Sequence, residues 1–167
     1  LCTHCGAHCR ERVEPLGDAQ FCCSGCRAVY QLLQASELSA YYRQQAPPGI
    51  KPPKDADTSR FAYLDDSQVK RQLVNFSDSR TSRINLIIPQ IHCASCIWLL
   101  EHLYKLHPGI HRSQVNFLRR EVILQFDHAL ISLRQVIELL TKIGYEPHIR
   151  LEHLEKILDL ILKPALV

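Results

Sequence analysis

The apolar positions change period along residues 83–150, and the changes mark six elements. Ile84, Leu86 and Ile88 alternate with other residues, which predicts a half-buried strand. Leu99, Leu100, Leu103 and Tyr104 recur at helical spacing, and His107-Pro108-Gly109 stops that helix near Leu106. Val115 and Phe117 alternate within a strand over Ser113–Leu118. Arg119-Arg120-Glu121 breaks it, and Val122, Leu124 and Phe126 share one face of the strand that follows, as in a hairpin. Ser132 and Gln135 then form a capping box ahead of a second helix. Its apolar stripe is Val136, Ile137, Leu140 and Ile143, and Gly144 sits where a left-handed C-cap belongs. A last strand is expected from about His148 to Leu151. The order β-α-β-β-α-β is the split-βαβ, ferredoxin-like arrangement, an α+β fold.

The rest of the chain divides around that unit. Val29, Leu32 and Leu33 suggest a helix running towards Tyr41-Tyr42. The stretch from Ala46 to Pro53 holds four prolines and a glycine and reads as a semi-rigid linker. Asp65–Phe76 reads as a short helix, with Leu64, Val69, Leu73 and Phe76 on its apolar side. Leu151, Leu154, Ile157, Leu158, Ile161 and Leu162 predict an amphipathic helix, too short and too charged to span a bilayer. It is expected to pack on its own domain or a partner chain; a membrane-proximal connector is the sharper alternative. The expected division is therefore a Cys-rich unit over 1–45, a Pro-rich linker with a short helix over 46–82, the ferredoxin-like unit over 83–150 and the tail over 151–167.

The junction of the first strand and helix carries the chemistry. It reads Ile91-His92-Cys93-Ala94-Ser95-Cys96. Unpaired N–H groups at a helix start favour anions, so a thiol there is expected to be acidic. Two thiolates on one loop make a soft site of low coordination, which suits Cu(I). His92 reads as a loop residue, with auxiliary ligation as the alternative. A redox dithiol is the rival reading, but the element order differs from thioredoxin and the Trp-Cys-Gly-Pro-Cys core is absent.

Composition adds a second cluster. Of the eight cysteines, six fall in the first 26 residues. Cys2-Thr3-His4-Cys5-Gly6 is one knuckle and Cys22-Cys23-Ser24-Gly25-Cys26 another, the pattern of a tetrahedral Zn(II)-type site. Cys2, Cys5 and Cys26 are the expected ligands, with Cys22 or Cys23 as the fourth. His8 and Cys9 have no assigned role. A unit this small seldom folds on apolar burial alone. Nothing resembles a signal peptide, which argues against an extracellular disulfide framework. The net charge of +3, with scattered arginines, gives no basis for nucleic-acid binding.

Residues 83–150 resemble a heavy-metal-associated domain, as in copper chaperones and copper-transporting P-type ATPases. The usual Gly-Met-x-Cys-x-x-Cys loop is here Gln90-Ile91-His92-Cys93-Ala94-Ser95-Cys96, so the Gly and Met are replaced. Ile143-Gly144-Tyr145 also matches, and the resemblance implies that Tyr145 lies near the metal loop. His92, with Ile97-Trp98-Leu99-Leu100-Glu101 after the second Cys, is similar to the ATPases that supply copper for bacterial haem–copper oxidase assembly. The Cys-Cys-x-Gly-Cys run resembles the metal-binding domain preceding the heavy-metal-associated domain in those ATPases, and Tyr63-Leu64-Asp65-Asp66 resembles their spacer. The resemblance implies a region on the cytoplasmic side of the bacterial inner membrane, reaching the membrane through its parent. It would bind Cu(I) at Cys93/Cys96 and Zn(II) or Cu(I) at the N-terminal cysteines. Its partners would be a copper chaperone or the parent's other domains. No Asp-Lys-Thr-Gly-Thr phosphorylation motif is present, so this chain by itself is expected to bind and pass on metal rather than hydrolyse ATP. A free-standing copper chaperone or sensor, and a thiol–disulfide oxidoreductase, are the alternatives.

Overall fold

The computed structural model describes residues 1–10, 13, 15–44, 48–54 and 57–150; the expected amphipathic tail over 151–167 lies outside the described residues. Helix α1 spans Ser24–Ala35 and starts at Cys23, whose Sγ accepts the Cys26 N–H. Its face of Val29 and Leu33 is buried. Glu37 takes a left-handed conformation (φ 58°) and ends the run, so the expected helix towards Tyr41-Tyr42 resumes only as the single turn α2, Tyr41–Gln44.

A 3-10 helix over Thr58–Asp65 and then helix α3, Ser67–Leu73, follow. Asp66 caps α3 by accepting from the N–H groups of Gln68 and Val69. The helix expected over Asp65–Phe76 stops at Leu73, because Val74–Ser77 is a strand, β1. Asp78 Oδ1 takes the N–H groups of Arg80 and Thr81, and this turn folds β1 back onto β2, Thr81–Ile87. Phe76 therefore lies exposed on the sheet edge rather than on a helix face.

Helix α4 covers Ala94–Leu100, shorter than expected, and a 3-10 turn over Leu103–Lys105 completes the run. The reason is a tertiary contact: the Leu100 carbonyl accepts from Ser113 Oγ of the next strand (2.5 Å) instead of from the next helical turn. Strand β3 is Ile110–Asn116 and β4 is Glu121–Asp127. The register shifts between Ile110 and Arg112, so Ile110 and Ser113 are both buried. Phe117, placed by its alternation in the strand, lies exposed in the turn. Helix α5, Leu133–Lys142, has the expected Ser132–Gln135 capping box, and Gly144 (φ 96°) closes it.

The sheet order is β1-β2-β4-β3, antiparallel throughout. This is an α+β fold of the ferredoxin-like kind. The expected final strand is reduced to one bridge, His148 N–H to Ile87 O at 2.7 Å. Pro147 lacks an N–H and cannot extend the ladder, and β1 already pairs with the other end of β2.

Ile84 and Leu86 of β2, with Val122, Leu124 and Phe126 of β4, meet Leu99 and Leu100 of α4 and the α5 stripe in one core. The opposite sheet face carries Arg83, Asn85, Arg112 and Gln114. The same core takes in Val29, Leu33, Leu38, Tyr41, Phe61, Leu64 and Val69 from upstream. A second, smaller cluster holds Cys2, Ala19, Phe21 and Cys26. Helix α1 thus belongs to both, by its first turn to the cysteine cluster and by its later turns to the main core.

Candidate metal centres

Two groups of cysteines are brought together. The first is on the β2–α4 loop. Cys93 is the N-cap residue of α4 and half-buried; Cys96, in its first turn, is fully buried. Their Sγ atoms are 3.2 Å apart, and all eight cysteines of the chain are free thiols. Even in a zinc-type tetrahedron two sulfurs lie about 3.8 Å apart, and an ion held by two sulfurs alone spreads them further, so this loop must open by at least roughly half an ångström to admit one. Ser95 Oγ and Gln90 Oε1, both buried in the loop, have no hydrogen-bond partner, which fits a loop that rearranges on loading.

His92 Nδ1–H donates to Gln90 O at 2.7 Å and lies 3.5 Å from Cys96 Sγ. A carbonyl only accepts, so that bond fixes a proton on Nδ1. The expectation of an acidic thiol fails at Cys93. Burial pushes it up, and the adjoining Cys96 thiol adds to this, against the N–H groups of Cys96 and Ser95. The helix start is real, but burial prevails over it.

The second group is Cys2, Cys5, Cys22 and Cys26, whose Sγ atoms all lie within 4.8 Å of one another. The Cys5–Cys22, Cys22–Cys26 and Cys5–Cys26 distances are 3.6, 3.7 and 3.7 Å. Those match the edges of one face of a tetrahedron of sulfurs about 2.3 Å from a central ion. Of the two adjacent cysteines, Cys22 joins the group and Cys23 does not. Neighbouring side chains of an extended segment diverge, and the Cys23 sulfur is used as the cap of α1. Cys9 packs against the cluster from outside.

The four thiols differ in acidity. Burial raises Cys2, but the N–H groups of Cys5, Cys22 and His4 outweigh it and hold it at about 7. Burial and the bond to Cys5 push Cys22 up to about 12. Burial, with the bond to Cys23, raises Cys26 further. The group is thus partly protonated when empty, and a cation that enters must displace protons.

Several residues of these sites have no sequence signal. His4, between two ligands, looks like a ligand but is fully buried away from them. Its Nε2–H donates to Ile50 O (2.9 Å), so its Nδ1 accepts from Tyr42 Oη (2.8 Å), and burial lowers its pKa. Tyr145 is fully buried, and burial, with Tyr41 and Cys96 nearby, raises its phenol, which places it by the metal loop as expected. Its buried partner Tyr41, 2.9 Å away, comes from the other end of the chain. Only the tertiary fold pairs them.

The sheet, the two helices and the cysteine loop at the start of α4 define a heavy-metal-associated domain, and the family model of that description matches residues 85–146. A second model, "Putative metal-binding domain of cation transport ATPase", matches residues 1–78. Their order along the chain is that of the N-terminal region of a cation transport ATPase. Among solved structures, oxidized MerP from Ralstonia metallidurans CH34 is similar at 21% identity and a TM-score of 0.38, covering 42% of this chain and 97% of its own. No curated protein matches the chain in sequence. No helix among the described residues is long and apolar enough to cross a membrane.

Proposed function

We propose that this chain is the cytosolic metal-binding region of a copper-exporting P-type ATPase. It binds Cu(I) through Cys93 and Cys96 and passes it to, or senses it for, the pump. The observation that carries this is the pair of free thiols 3.2 Å apart, one half-buried and one buried, at the start of α4. Two thiolates without a hard oxygen ligand favour a soft monovalent ion. Transfer then runs by ligand exchange. A donor thiolate adds to Cu(I), the ion is briefly three-coordinate, and one original ligand leaves. Cys93, the more accessible sulfur, meets the partner first, and Cys96 holds the ion. The partner is a copper chaperone or another domain of the parent. Cys2, Cys5, Cys22 and Cys26 hold a second ion, Zn(II) or Cu(I), a reading supported by the spacing of the Cys5, Cys22 and Cys26 sulfurs.

Competition with a chromophoric Cu(I) chelator tests the loop site. Cys93→Ser with Cys96→Ser is expected to abolish tight binding of one Cu(I) while circular dichroism stays unchanged. Unaltered affinity in the double variant would remove the assignment. Dithiol turnover without any metal would place the chain with oxidoreductases instead.

A further inference from the structure

The seam between the two halves of the chain holds a cavity of about 290 Å³, at the end of the sheet where β1 turns into β2. One wall is upstream: Lys70 and Arg71 of α3, then Val74 and Ser77 of β1, all within residues 1–78. The other wall belongs to the heavy-metal-associated domain. It is formed by Phe126 of β4, His128 just after it, and Ser132 and Leu133 at the start of α5. Ser82 of β2 joins them. Neither half closes this space by itself. It forms because Val74–Ser77 pairs with β2 as an edge strand and brings α3 with it. The Cys93/Cys96 loop follows the opposite end of β2, and the cavity shares no residue with either cysteine group.

The lining satisfies most of its own polar groups. His128 Nε2–H donates to Ser79 O (3.1 Å), so its Nδ1 accepts from Ser82 Oγ (2.9 Å). Ser82 has then used its proton, and Ser77 Oγ, 3.1 Å away, donates to it. Ser132 Oγ accepts the Gln135 N–H. The two cations differ from these. Arg71 donates only from Nε, to the Ser67 carbonyl at 3.3 Å. Its Nη groups and the Lys70 ammonium have no partner among the described residues. No residue of the lining carries a carboxylate. Val74, Phe126 and Leu133 supply an apolar side, and the last two are buried.

A space with cations on one side and apolar groups on the other selects a guest built the same way. A bare anion would leave the apolar side wet, and a neutral apolar guest would leave the cations without a counter-charge. The volume sets the size. An apolar cavity of roughly 150 Å³ holds a benzene ring, so this one takes a ring with a short arm. Ligand pockets run from about 300 Å³ upwards, which puts the guest among the smallest. We propose that the seam is a binding site for a small organic carboxylate with an aromatic or branched apolar body. Its carboxylate meets Lys70 and Arg71, the latter through the two-pronged geometry a guanidinium allows. Its body lies against Val74, Phe126 and Leu133. Because the walls come from both halves, the guest clamps α3 and β1 to the heavy-metal-associated domain.

The test uses the full chain with 3-phenylpropionate as the probe, followed by titration calorimetry and by amide chemical shifts. Saturable binding is expected, with a Kd of about 1 mM or tighter for a guest this small, and with shifts centred on Val74 and Leu133. Lys70→Gln and Arg71→Gln keep good helix formers in α3, and each should weaken binding by about 10-fold. Replacing the probe by 3-phenylpropanol, which keeps the ring and lacks the charge, should cost about as much. Inorganic phosphate, a charge without a body, should also bind at least about 10-fold more weakly. Val74→Phe fills the apolar side and should abolish binding while circular dichroism stays unchanged. No saturation by about 10 mM, or shifts centred elsewhere, overturns the site. So does wild-type affinity in the double Lys70→Gln, Arg71→Gln variant. The alcohol binding as tightly as the acid overturns the requirement for charge, and phosphate binding as tightly overturns the requirement for an apolar body.

Discussion

At the scale of single residues the adjacent cysteines give the sharpest contrast. Cys22 points into the sulfur tetrahedron and Cys23 caps α1. Cys22→Ser should release the N-terminal ion. Cys23→Ser should keep it, because serine is itself a good N-cap. Zinc content after gel filtration distinguishes the two, and equal loss would contradict the geometry. The acidities also set a pH dependence. Cys22, held up to about 12, and Cys26, also raised, are protonated through the neutral range when the site is empty. Binding must expel both protons, so affinity rises with pH. A slope of at least roughly two decades per pH unit is expected between pH 6 and 8, steepest below pH 7 where Cys2 is protonated as well. Calorimetry in buffers of different ionisation enthalpy counts the protons; release of none would refute the ligand set.

At the scale of elements, α5 and its end connect folding to the site. The Ser132 cap satisfies the Gln135 N–H, and Ser132→Ala should cost about 1 kcal/mol in urea unfolding. Gly144 is a different case. Its φ is 96°, and a Cβ there would lie 2.8 Å from Ile50 O. Gly144→Ala is therefore strained both in its backbone and against residues 48–50, and should cost more than the cap, above about 1 kcal/mol. It should also disturb Tyr145, the next residue, and with it the Cys96 environment. Equal costs for the two substitutions would mean that Ile50 simply moves aside.

At the scale of the whole molecule, stability is divided unevenly. One large core holds α1 to α5 and the sheet, while residues around Cys2 and Cys5 rest on four thiols and a few apolar groups. An ion bound by four thiolates contributes on the order of 10 kcal/mol, enough to decide whether such a segment is folded. Removing metal should therefore abolish amide protection over residues 1–10 and leave β2, β4 and α5 protected. Protection that persists in the metal-free knuckle would show that the His4 bonds to Tyr42 and Ile50 suffice.

The sequence alone determined what short range controls. Alternation and helical spacing placed β2, β4, α4 and α5, and the Ser132 box and Gly144 marked the limits of α5, because capping and periodicity are local. The Cys-x-x-Cys loop was legible for the same reason. Tertiary structure decided what depends on distant partners. Ser113 shortened α4 by taking a carbonyl, β2 recruited Val74–Ser77 as an edge strand, and a register shift buried both Ile110 and Ser113. It also chose Cys22 over Cys23, raised the Cys93 thiol by burial, and set Tyr41 against Tyr145. None of these follows from neighbouring residues, since each is fixed by a group that the chain brings close only once the common core has formed.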